Sequence, residues 1–243
     1  MAGSGRKVFA NGNTLSASDV QNYLQDQSVM YFANTAARTS AIGSPTTGMV
    51  SYVGDTPPQV QTYTGSAWQN MDGLALITSV TIGSAVSSVT VSSCFNATYD
   101  TYRVIYSPLA SSVTGSNITF RYRTGATDNS NANYNWAGNA VTYAGVATAL
   151  SGSAQTSGFL GYGSYTTGAA WGTMIIDVVN PFKTEYTSIE SVGTGVNATG
   201  GVLTRTNTGG YFNANTSFDG ITFIPSAGTL TGGTISVYGY RKA

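Results

Sequence analysis

The sequence predicts a mainly β protein: a short N-terminal helix and β-hairpin module, then an antiparallel β-sandwich of jelly-roll type. Three observations predict it. Residues 73 to 243 hold many short runs of alternating polarity separated by Gly, Asn and Ser, the pattern of strands joined by tight turns. Useful helical periodicity is confined to the part of the chain before Gly43. Composition agrees: 30 Gly and 16 Tyr among 243 residues, with only 8% charged, against roughly a quarter in an ordinary soluble chain.

Residues 1–27 are expected to form a polar arm and a short helix for attachment. In "LSASDVQNYLQDQ" Ser16 and Asp19 fit a capping box, and Val20, Tyr23 and Leu24 fall on one face. Isolated helices shorter than roughly 12 to 15 residues are marginal in water, so Val20 and Leu24 are expected to pack on another surface. Residues 28–72 are expected to form a small strand and hairpin module. "SVMYFAN" reads as a strand and "TAARTSAIG" as a helical turn with Thr35 as cap and Gly43 as stop, before Pro45. "GMVSYVGD" and "QVQTYTGSAWQNM" read as two strands joined through Asp55-Thr56-Pro57-Pro58. So small a module usually needs disulfides, metal or oligomerisation to hold a core. One cysteine and no histidine leave oligomerisation.

Residues 73–243 are expected to form the sandwich, from the runs "SVTIGSAVSSVTVS", "YRVIYSPL", "SNITFRYRTG", "GTMIIDVVN", "TSIESVG", "GGVLTRTN", "DGITFIPS" and "GTISVYGYRK". Between them, residues 125 to 172 read as long, polar, Gly-rich and aromatic loops, of the kind that carry function.

Ten basic residues balance ten acidic ones. That disfavours nucleic acid and anionic membranes, which need clustered Lys and Arg. Without histidine the commonest general base and zinc ligand are missing, and no metal site or cofactor is expected. The "TGG" pieces at 199–201 and 231–233 lack the Lys-Ser/Thr of a phosphate loop and read as turns. Cys94 has no partner for an intramolecular disulfide and reads as a small buried hydrophobe. No stretch approaches the roughly 20 apolar residues of a spanning helix. "MAGSGRKVFANGN" lacks a continuous apolar region, so a soluble chain with no export signal and no membrane insertion is expected.

Two groups are candidate binding residues. Tyr134, Trp136, Tyr143, Tyr162, Tyr165 and Trp171 lie among Asn and Ser in the expected loops. Aromatic faces stack on sugar rings while amides bind hydroxyls; the alternative is that these rings pack in the sandwich or along a subunit seam. Arg121 and Arg123 occupy alternate positions of one strand, with Tyr122 on the opposite face. They would hold an acidic sugar or phosphate, or else pair with Asp128, Asp100 or a neighbouring subunit. Asp177, Glu185 and Glu190 are the carboxylates that an acid–base pair would draw on; the alternative is strand-end charges paired with Lys183 and Arg205. The repeats and length of a β-helical depolymerase are missing, so no enzyme is expected.

The stretch from "RKVFANGNTLSASDV" through "GMVSYVGDTPPQVQTYTGSAWQNM" resembles the N-terminal region of fibre and minor tail proteins of tailed bacteriophages, where a short helix precedes a hairpin ending in "GSAW". "FNATYDTYRVIYS" and "FDGITFIPSAGTLTGGTISVYGYRKA" resemble the receptor-binding jelly-roll tips of such fibres. The resemblance implies a homotrimer on the virion, in which Tyr52, Tyr63 and Trp68 would be buried between subunits. Its N-terminal arm would bind other virion proteins, and its distal domain would adhere to a host surface glycan or protein. A capsid head fibre or decoration protein shares fold and oligomeric state and remains an alternative; a glycan hydrolase on a fibre tip is a third.

Overall fold

The computed structural model describes residues 12, 14, 16–20, 29–55, 58–71, 73–163, 172–197 and 201–240. It divides into two compact units, Met1–Gly73 and Leu74–Ala243.

In the first unit, α1 (Ala17–Val20) is a single turn with Val20 half-buried; Leu24 lies outside the described residues. A parallel strand pair needs a crossover, and here α2 (Thr35–Ala41) supplies it between β1 (Met30–Phe32) and β2 (Val50–Val53). Antiparallel strands β3 (Gln59–Tyr63) and β4 (Trp68–Asn70) complete a four-stranded sheet. The arm read as one strand, "QVQTYTGSAWQNM", is therefore two, broken where the Thr64 N–H donates to the Ala67 carbonyl at 2.9 Å. Gly65 takes φ +99° there, a backbone that only glycine adopts without strain. The cap of α2 is Asn34, not Thr35: its Oδ1 accepts from the Ala37 N–H at 2.8 Å. Thr35 instead donates its hydroxyl and its N–H to Asp55.

Among the described residues of this unit, Val53 is the one fully buried hydrophobic side chain; Arg38, Ser51 and Gln61 are buried with it. The Arg38 guanidinium lies 4.4 Å over the Trp68 ring and donates to Gln61 Oε1. Gln61 Nε2 in turn donates to Asn70 Oδ1 at 2.7 Å and Gln59 Oε1 at 3.1 Å. Burial pulls the Arg38 pKa down, while Asp55 pulls it up. The centre of this unit is therefore polar, with Arg38 against a tryptophan in place of an apolar core. Tyr52, Tyr63 and Trp68 stay half-buried, with Tyr31 stacked on Tyr52 at 5.7 Å.

The second unit is an antiparallel β-sandwich. One sheet runs β11-β10-β15-β14-β13-β7-β17-β5 and the other β12-β8-β16-β6, with β9 alongside β8. The strands are β5 (Leu74–Thr81), β6 (Val89–Val91), β7 (Thr101–Ser111), β8 (Asn117–Thr124), β9 (Thr127–Asp128), β10 (Tyr134–Thr142), β11 (Ala147–Gln155), β12 (Gly158–Tyr162), β13 (Gly172–Val179), β14 (Thr187–Val196), β15 (Leu203–Phe212), β16 (Gly220–Pro225) and β17 (Leu230–Tyr240). Strands β5-β17-β7-β13 against β6-β16-β8-β12 reproduce the strand order of a jelly roll. Strands β10 and β11, following β8, and β14 and β15, following β13, widen one sheet beyond its partner.

Under the shared part lies an aliphatic and aromatic core that includes Tyr102, Val104, Tyr106, Ile118, Phe120, Met174, Ile176, Phe223, Ile235 and Val237. Under the widened part small hydroxyl residues are buried beside Tyr134, Ile189 and Phe212: Ser191, Thr204, Thr206 and Thr208. A Cβ on Gly195 would lie 2.2 Å from the Tyr162 carbonyl oxygen, so β12 packs closely on β14. Two readings are corrected here. Residues 125 to 172 are not one looped region, since they hold β9 to β12; their strands escaped notice because β11 buries no side chain, and β10 and β12 bury only a few large residues set among Gly, Ala and Asn. "SVTIGSAVSSVTVS" is two strands, the end of β5 and all of β6, in different sheets.

Candidate functional site

Tyr134 is 1% exposed. Its hydroxyl accepts from the Tyr122 N–H at 3.0 Å and donates to the Asn129 carbonyl at 2.8 Å, and its ring meets Phe212 at 4.9 Å. It occupies an inward position of β10, so it is a core residue and not a receptor contact. Tyr143 is 76% exposed in the turn between β10 and β11, next to exposed Val146. Tyr165 and Trp171 lie outside the described residues.

Trp136 and Tyr162, 26 residues apart by number, are joined through Phe159. The Trp136 ring stacks on Phe159 at 5.0 Å and 29°, and Phe159 meets Tyr162 edge-on at 5.7 Å. Trp136 and Tyr162 are half-buried, forming a ledge where the widened sheet extends past β12. Neighbouring strands make room for the indole with glycines: a Cβ on Gly152 of β11 would fall 2.5 Å from the ring, and one on Gly210 of β15 2.9 Å from the Trp136 Cβ. Beneath lies a cavity lined by Trp136, Phe159, Leu160, Ser191 and Thr208. At about 10 Å³ it has room for one water and none for a sugar ring, so a ligand of this ledge would lie on it. Among the described residues the buried Ser191 hydroxyl has no hydrogen-bond partner.

Arg121 and Arg123 do share a face, but their partners differ. Arg121 Nε donates to the Thr156 carbonyl at 3.0 Å, tying β8 to the turn between β11 and β12. Arg123 pairs with Asp128 and donates to Thr222 Oγ1 at 3.0 Å, while the Thr222 hydroxyl donates to Asp128 at 2.7 Å. Arg123 is therefore committed to a local network and is not a free cation.

Asp177 does not pair with Lys183 or Arg205. Arg103 donates to it from Nε at 2.9 Å and Nη2 at 2.6 Å, and the Tyr240 hydroxyl adds a third bond at 3.2 Å. This pairing raises the pKa of Arg103. Glu190 stands opposite Asp177 in register, while Lys183 pairs with Asp100 at 3.2 Å. The two carboxylates thus lie on an open sheet face rather than in a cleft. Among the described residues no three His, Cys, Asp or Glu side chains gather to hold a metal.

Sequence reading missed three aromatic residues. Phe159 links the ledge, and Tyr186 and Tyr211 form an exposed parallel pair, 6.2 Å apart at 14°. Tyr211 sits at an outward position of β15, a signal available from the alternation of "LTRTNTGGYF". Fold and site together define the class: a jelly-roll β-sandwich with an aromatic ledge at the edge of its wider sheet. No family model, curated protein or solved structure matches this chain.

Proposed function

We propose that this chain is a virion fibre protein of a tailed bacteriophage that adheres to its host, without enzymatic chemistry, as a trimeric receptor-binding protein. One observation carries the reading: half-buried Trp136 and Tyr162, joined through the buried Phe159 ring, leave part of their aromatic surface to solvent, and such surface stacks on sugar rings. Sequence resemblance to phage fibre tips supports it. Three weak ledges on one tip act together, because the second and third bind at high effective concentration. With only 8% charged residues, contact depends on shape and stacking, and salt dependence is small.

The test is binding of the purified full-length chain to intact host cells, with its mass determined on the same sample. The expected result is saturable binding by a trimer, weakened about tenfold, ~1.4 kcal/mol, by Trp136→Ala, while the unfolding midpoint reports any loss of packing. A trimer that ignores host cells but adds to fibre-free capsids would replace this reading with a head fibre or decoration protein. Loss of host polysaccharide on incubation would make it a hydrolase.

A further inference from the structure

We propose that copies of this chain assemble through the outer face of the eight-stranded sheet, with Glu190 of one copy pairing with Arg205 of the next. The inference rests on the trimeric reading above and adds where the copies meet.

An antiparallel sheet with one solvated face alternates apolar-in and polar-out. Strand β13 does not. Met174, Ile176 and Val178 are buried inward, yet Ile175 and Val179 point outward, 43% and 37% exposed. Ile175 stands in register with Ile105 of β7 and Val192 of β14, so three adjacent strands carry a continuous aliphatic row on the outside.

The charges on this face suit a second copy. The eight strands hold four charged residues, Arg103, Asp177, Glu190 and Arg205, two of each sign, so the face carries no net charge to repel its like. Arg103 and Asp177 satisfy each other. Glu190 and Arg205 make no ion pair among the described residues, and they are too far apart to make one together. Glu190 lies opposite Gly209 and Arg205 opposite Thr194, an offset of about 13 Å along the strand at roughly 3.3 Å per residue.

Val192 lies between them along β14, opposite Asn207. If Val192 is turned toward a three-fold axis, Glu190 faces one neighbour and Arg205 the other, and the pairs close into a ring. Eight strands at roughly 4.8 Å spacing and about 20 Å of strand length give each copy a face on the order of 750 Å², divided between its two neighbours.

The experiment measures the mass of the full-length chain against concentration, in mild urea if the assembly is tight, for the wild type, Ile175→Arg, Glu190→Arg, Arg205→Glu and the double reversal. Circular dichroism on each sample establishes that it is folded. Ile175→Arg and each single reversal are expected to raise the dissociation midpoint at least tenfold, and the double reversal to return it close to the wild-type value. A wild-type trimer whose midpoint ignores these substitutions, or a double reversal no better than its singles, overturns the face while leaving the trimer standing. A monomeric wild type would overturn both.

Discussion

Cys94 and the buried tyrosines set how this molecule responds to alkali. Burial pushes the Cys94 thiol from 9.0 up to about 12, and burial raises Tyr102, Tyr106, Tyr122 and Tyr134 as well. A folded pKa above the unfolded one means the native state holds its proton more tightly. Stability is then full below the unfolded thiol value and falls as pH rises through the folded one. With no histidine, no side chain of ordinary pKa titrates between the carboxylates and the thiol. The urea midpoint is therefore expected to stay level from about pH 6 to about pH 8.5 and to drop beyond it; a fall beginning near neutrality would contradict this. A thiol reagent should leave native Cys94 unlabelled and modify it fully once the chain is unfolded. Tyr134→Phe removes two hydrogen bonds and strands the Tyr122 N–H, so denaturant titration should show a loss of about 1–2 kcal/mol with host binding unchanged.

Strand β12 closes on β14 and β15 because glycine and small hydroxyl side chains line the gap. Gly195→Ala would drive a methyl group into the Tyr162 carbonyl, and about 2–3 kcal/mol of destabilisation is expected in equilibrium unfolding. An alanine tolerated at this position without loss would mean that β12 sits further off. In the first unit the corresponding element is α2, which delivers Arg38 under Trp68. Arg38→Ala abolishes the cation–π contact and leaves Gln61 Oε1 without its donor. A loss of about 2 kcal/mol is expected, read as a shift in the Trp68 fluorescence transition in a chain where Trp136 and Trp171 are replaced by Phe.

Across the whole molecule, near-absence of charge sets the terms of association. Ten basic and ten acidic residues in 243 provide little long-range steering, so host binding should change less than about threefold between low and physiological salt. A collapse of binding over that range would move the contact from the aromatic ledge to the cations. Low charge also leaves the eight-stranded face free to meet a copy of itself.

The sequence by itself determined the class of fold and most strand positions, because alternating large apolar residues in runs such as "YRVIYSPL" and "SNITFRYRTG" follow from burial on one face. It also showed that Arg121 and Arg123 share a face, since side-chain period in a strand is local. Only the tertiary structure decided what those side chains meet. Tyr134 and Tyr143 are alike as letters, yet one faces the core from β10 and the other stands at a turn. Asp177 found Arg103, 74 positions away, because β7 and β13 are neighbours in the sheet. Strands β10, β11 and β12 stayed hidden for a physical reason: β11 is an edge strand that buries no side chain, and β10 and β12 bury only a few large residues spaced by Gly, Ala and Asn, so no alternating apolar run marks them. Glycines on either side of Trp136, in β11 and β15, make room for the indole of the ledge on which the functional reading rests.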